Sequence, residues 1–120
     1  MTWTVQFEEA FEAEFDAFSE EVQNAILARL ILLQREGHRL GRPHADTLTG
    51  SRHANMKELR VNADDGVWRI AFAFDPERQA ILLAAGDKSG GSEKRFYRKL
   101  IATADERFDR HLARLKGALK

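Results

Sequence analysis

The chain has 120 residues, 19 basic and 19 acidic, with 43% hydrophobic residues, eight phenylalanines and no cysteine. That describes one ordinary domain with one real core, since folding at about this size hides roughly two thirds of the unfolded surface. Disulfide frameworks and thiolate metal sites are excluded, and intrinsic disorder does not fit the composition. The opening run Met1 to Glu9 lacks a basic region and an apolar stretch of signal length. No uncharged apolar run reaches the ~18 residues of a membrane span, so a cytoplasmic protein without a membrane partner is expected.

In chain order, Trp3 to Phe7 reads as a short strand. Phe7, Phe11, Phe15, Phe18, Val22, Ile26, Leu30 and Leu33 then recur every three or four residues, which makes one helical face continuously apolar. Ser19 followed by Glu20 and Glu21 has the form of an N-cap with acids in the first turn, so the pattern divides into helices near 8–17 and 20–36. Gly37 is a C-terminal stop. Residues 38–55 hold Gly41, Pro43, Gly50, three histidines and several arginines without a sustained period, and read as a long loop.

The next stretch alternates. Met56 to Val61 and Trp68 to Phe74 read as the strands of a β-hairpin turning through residues 62–67. Placing Arg60 opposite Arg69 lets Leu59 and Val61 join the apolar row of Trp68, Ile70, Phe72 and Phe74. Glu58, Arg60, Arg69, Ala71 and Ala73 then share the other face, as a shallow polar floor. A one-residue slip would send a whole strand's side chains to the wrong face, which decides for this register. Asp75-Pro76-Glu77-Arg78 is a turn, and Gln79 to Ala85 is a third strand, apolar on both faces and therefore internal. After Gly86-Asp87-Lys88-Ser89-Gly90-Gly91, Ser92 caps a final helix with Phe96, Leu100, Ile101, Ala104, Phe108, Leu112 and Leu115 on its apolar side. The order β-α-α-β-β-β-α implies an α+β domain, an antiparallel sheet with helices packed on one face.

The charges are sorted along this order. Residues 1–37 carry eight acids against two bases, residues 38–87 seven of each, and residues 88–120 ten bases against four acids. Either the basic end meets an anionic partner, or the acidic and basic helices pack side by side and neutralise each other.

Several chemistries lack their residues. His38, His44 and His53 share a loop with Asp46, but their spacing fits no compact metal motif, and no cofactor is expected. The glycine-rich segment 86–91 lacks the phosphate-loop order, and neither a Gly-x-Ser-x-Gly elbow nor a cysteine nucleophile is present. A basic constellation remains. Arg60 and Arg69 stand on the sheet face, Lys88 ends the third strand, and Lys94, Tyr97 and Arg98 share one side of the final helix. Arginine forks grip phosphate oxygens, lysine adds point charge, and tyrosine can stack on a base or carry a proton. Such a set suits RNA cleavage, where the substrate's own 2′-hydroxyl is the nucleophile and the protein positions, neutralises and moves protons. It equally fits surface bases paired with Glu58, Asp87 and Glu93.

The segments Asn55 to Val61, Trp68 to Asp75 and Leu82 to Lys88, with the helix opening Ser92-Glu93-Lys94-Arg95-Phe96-Tyr97, resemble the RelE/HigB-like toxins of bacterial type II toxin–antitoxin systems, most of all the phage-derived HigB-like branch. The resemblance extends to Ser19-Glu20-Glu21-Val22 and to the loop around Leu48, Gly50 and Ser51. It implies a RelE-like microbial RNase fold over residues 1–120, ribosome-dependent mRNA cleavage that inhibits translation, and neutralisation by a small antitoxin, often a helix-turn-helix protein. By position it implies Arg60, Arg69, Lys88 and Tyr97 as catalytic, with Lys57, Lys94, Arg95 and Arg98 along the RNA. Glu58 stands where RelE members carry a lysine, the basic final helix is much longer than theirs, and the total charge is neutral where ribosome-cleaving relatives are commonly basic. These features also fit a ParE-like toxin that binds DNA gyrase, or an inactive relative serving as a partner-binding module.

Overall fold

In the structure, a computed structural model that describes residues 2–118, the chain runs β1 (Thr4–Phe7), α1 (Glu9–Asp16), α2 (Glu20–Glu36) and a 3-10 turn (Gly37–Arg39). It continues as β2 (Ala45–Thr47), β3 (Met56–Ala63), β4 (Gly66–Phe74), β5 (Gln79–Asp87) and α3 (Glu93–Ala118). The α+β class holds. β2 is an addition, since those residues were expected to lie in a loop.

Local chemistry explains most boundaries. Ser19 Oγ accepts the Val22 N–H, and Ser92 Oγ accepts the Arg95 N–H, so both expected caps close their helices. Glu8 caps α1 in the same way, taking the Phe11 N–H at 3.0 Å. Gly37 ends α2 at φ +58°, and a side chain there would collide with the Trp3 ring. Asp64 and Asp65 both adopt left-handed backbone, at φ 54° and 58°, between the paired Ala63 and Gly66. This is the two-residue turn whose twist matches a hairpin, and it sets the register. Arg60 lies opposite Arg69, as the hydrophobic pattern requires.

The sheet order is β1-β5-β4-β3-β2. β5 is internal as expected, but it pairs in parallel with β1, so the sheet is mixed rather than antiparallel. The helices correct a second expectation. α1 and α2 bury Phe11, Phe15, Ile26 and Leu33 against Leu59, Ile70, Phe72 and Leu82 on one face. α3 covers the other face, burying Leu100, Ala104 and Phe108 on Met56, Ala71, Ala73, Ile81 and Leu83. Ala71 and Ala73 are fully buried core residues, not part of a polar floor. Their small side chains let the helix sit close to the strand. The floor keeps its polar character only at the end that carries Glu58, Arg60 and Arg69.

A bulge joins these two layers. Ala71 pairs with Ala84 and Phe72 with Leu82, which leaves Leu83 without a partner on β4. The Leu83 carbonyl instead accepts from Arg107 of α3 at 2.9 Å, while the same guanidinium grips Glu14 of α1 at 2.6 and 2.8 Å. Arg110 and Arg114 continue the row toward Glu8 and Glu9. The acidic N-terminal segment and the second half of α3 therefore neutralise each other.

Arg107 holds the Glu14 carboxyl below its usual pKa, chiefly by direct hydrogen bonding. A depressed folded-state carboxyl stabilises the fold above its unfolded pKa, and that contribution disappears as pH falls through the folded value. Replacing Arg107 with Met should destabilise the protein by about 1–3 kcal/mol at neutral pH, because a buried carbonyl also loses its donor. Urea denaturation at neutral and acid pH should show this difference shrinking below the carboxylate range.

Candidate active site

The hairpin register brings two guanidinium groups side by side, and a buried carboxylate makes that possible. Glu58 is 3% exposed. Its Oε2 accepts Arg60 Nε at 3.1 Å, and its Oε1 faces Arg69 Nε at 3.9 Å. Arg60 also reaches Asp46 Oδ2 at 3.2 Å, so β2, the strand missing from the sequence reading, supplies a second carboxylate. Arg42 and the Thr47 N–H bind the same aspartate and hold its pKa down. Arg69 is nearly buried; its Nη1 donates to the Trp68 carbonyl at 3.0 Å, while its Nε has no hydrogen-bond partner.

From above, α3 lowers Tyr97 onto this pair. Burial first, then the neighbouring Glu58 carboxylate, raises the phenol pKa, with Arg69 opposing. Tyr97 therefore keeps its proton through the physiological range. Lys88 arrives from the end of β5. Its N–H bonds the Val67 carbonyl at 2.8 Å, its ammonium lies 5.9 Å from the Tyr97 ring centre, and Nζ donates to Glu93 at 2.6 Å. The turn before it is fixed by Asp87, which collects the Val67 N–H and both the N–H and hydroxyl of Ser89; the Ser89 hydroxyl is the main reason its carboxyl stays acidic. Gly86 has its own steric reason: a Cβ would stand 2.9 Å from the Phe96 ring and disturb the start of α3.

Arg60, Arg69, Lys88 and Tyr97 thus converge. Lys57 does not join them, because it alternates with Glu58 along β3 and points to the opposite face. Lys94, Arg95 and Arg98 are exposed on the first turns of α3 and form no ion pair among the described residues. They share the first turns of α3 with Tyr97. The histidines go elsewhere: His53 to Asp109, His111 to Asp75, and His44 to Arg29. Among the described residues, no three potential metal ligands gather.

Such a cluster can do two things. Three cations balanced by three carboxylates form an anion site in its resting state, since a phosphate can take over the guanidinium groups from the carboxylates. The Lys88 pair is the readiest to yield, because Glu93 is well exposed and ion pairs of that kind contribute little. A buried carboxylate next to a proton-holding phenol also provides the two ends of a proton transfer.

Comparison with known proteins shows the family and the fold. Residues 13–109 match the family described as Phage derived protein Gp49-like (DUF891). The chain belongs to that family. Two relatives from Mycobacterium tuberculosis (strain ATCC 25618 / H37Rv), each named as a candidate toxin, share 44% identity. One, HigB2, aligns over 115 residues, 95% of this chain and 56% of its own length. The other, HigB3, aligns over 106 residues, 88% of this chain and 90% of its own. The chain thus spans little more than half of the first relative. A free-state mutant structure of E. coli toxin RelE superposes with a TM-score of 0.58 at 11% identity, covering 85% of this chain and 96% of that one. The family resemblance read from the sequence is borne out, and the RelE-like fold with it.

Glu58 and Asp46 are the members that sequence reasoning left without a role. Glu58 was visible as a charge beside the arginines. Asp46 carried no signal, since only strand pairing brings it to Arg60.

Tyr97 is the only tyrosine in the chain, so tyrosinate absorbance reports it alone. Its titration should lie above the free-tyrosine value of about 10. Glu58→Gln, which removes a neighbouring negative charge, should move it down; an unchanged curve would separate Tyr97 from the cluster.

Proposed function

We propose that this chain is the toxin of a toxin–antitoxin pair, a cytoplasmic endoribonuclease that cuts mRNA on the ribosome and so stops translation. The observation that carries the reading is the cross-strand pair Arg60–Arg69 on a buried Glu58, with Tyr97 and Lys88 closing over it. Arg60 and Arg69 bind the scissile phosphate and neutralise the charge that builds on its oxygens. Glu58 accepts the proton of the 2′-hydroxyl as that oxygen attacks phosphorus. The bond from phosphorus to the 5′-oxygen breaks, leaving a 2′,3′-cyclic phosphate, and the departing oxygen takes a proton from Lys88 or Tyr97. Lys94, Arg95 and Arg98 track the strand beyond the cluster. No metal or cofactor takes part. The antitoxin is a small helix-turn-helix protein.

The competing reading, a ParE-like toxin acting on gyrase, drew on the long basic final helix. That basis is reduced, because Arg107, Arg110 and Arg114 face Glu14, Glu8 and Glu9 of the same chain.

Induction of the chain without antitoxin should arrest growth and leave transcripts with mapped internal ends. Arg69→Ala should relieve the arrest, and Glu58→Gln should slow cleavage by about 10²–10⁴-fold, the usual loss on removing a general base. Arrest with uncut transcripts and damaged DNA would favour the gyrase reading instead.

A further inference from the structure

Beside the open edge of β3, a cleft of about 360 Å³ is lined by Arg29, His44, Arg60, Asn62 and Arg69, and by no carboxylate. It exists because β2 is short. β2 pairs only with Lys57 to Leu59; Arg60 then donates its N–H to the His44 carbonyl, and the strand beyond has no neighbour on that side.

Arg29 is one of only two bases among the first 37 residues. α2 carries it to this edge, where its Nη1 meets His44 Nδ1. It forms no ion pair among the described residues, and its Nε is buried without a hydrogen-bond partner. Arg69, on the other side of the cleft, turns its Nε to Glu58 Oε1 at 3.9 Å, so Arg29 Nε is the orphan that belongs to the cleft. Buried guanidinium N–H groups are nearly always satisfied, so the Arg29 orphan beside an acid-free hollow indicates an absent acceptor. Three forks converging on it call for an oxyanion that accepts from several sides.

Arg60 also borders a second hollow of about 250 Å³ that holds Asp46, Glu58 and Tyr97. The two hollows are thus adjacent stations on either side of one arginine. We infer that the Arg29 cleft holds a phosphate of an RNA strand next to the one being cleaved, so that the strand crosses the β3 edge from Tyr97 toward α2. This inference rests on the nuclease reading. It adds a binding residue, Arg29, from an otherwise acidic segment.

The test is anisotropy of a labelled, uncleavable 2′-O-methyl RNA across a salt series, using the purified full chain. Arg29→Gln should weaken binding about tenfold and reduce the slope of log K against log salt by about one, the signature of one lost phosphate contact. Arg29→Lys should restore the slope while recovering only part of the affinity, since lysine returns charge without the fork. Arg35→Gln, an exposed change on the same helix, should match the parent. Asn62 is exposed, so Asn62→Asp places a carboxylate in the cleft without disturbing packing and should also weaken binding about tenfold.

Parental affinity and slope in both Arg29→Gln and Asn62→Asp would overturn the inference. The two readings fail separately. If the parent cuts transcripts in cells while those variants bind RNA normally, the cleft falls and the nuclease reading stands. If the variants lose RNA affinity and slope while the parent cuts nothing, the cleft stands as an RNA site and the nuclease reading falls.

Discussion

A single carboxylate, Glu58, holds the functional end of this molecule together. Two arginines directly opposite each other on antiparallel strands repel, and the hairpin turn places Arg60 and Arg69 in that position. Glu58 lies on the same face and contacts both. Among the described residues Arg69 pairs with no other carboxylate, so removing Glu58 would leave this nearly buried cation uncompensated, a change that typically costs about 3–5 kcal/mol. Burial first, and then the same carboxylate, raises the Tyr97 pKa from the other side. The turn fixes the register, and one buried charge makes the resulting arginine geometry tolerable and bears on the phenol.

Charge sorting along the chain has a related explanation. The acidic start and basic end are not two free surfaces. Arg107, Arg110 and Arg114 form a ladder with the acids around α1, and Arg107 additionally satisfies the carbonyl freed by the β5 bulge. Neutralisation ends there. The first turns of α3 keep Lys94, Arg95 and Arg98 exposed, and the β3 edge collects Arg29, Arg60 and Arg69 around an acid-free hollow. A chain with zero formal charge thus presents local positive potential in two places, both beside the same cluster.

The helices supply the enclosure. With α1 and α2 on one face and α3 on the other, both faces of the central strands are covered. Gly86 keeps the start of α3 close to β5, and through it Tyr97 close to the arginines. The packing of α3 on Ala71 and Ala73 is therefore as important to the site as any residue inside it.

Periodicity and caps in the sequence determined the three helices, the hairpin, its register and the cross-strand arginine pair, because these depend on neighbours in the chain or on the two-residue alternation of strands. Motif resemblance determined the family. What the sequence could not determine was which side of the sheet each helix would take, since an apolar stripe records that a face is buried but not against what. Only the tertiary structure made Ala71 and Ala73 core and turned Lys57 away, and only it paired β1 with β5, made a strand of β2 and carried Asp46 to Arg60. It also brought Arg29 from an acidic helix to the β3 edge. Each of these joins residues distant in the chain, where no local pattern is repeated and three-dimensional packing alone decides what meets.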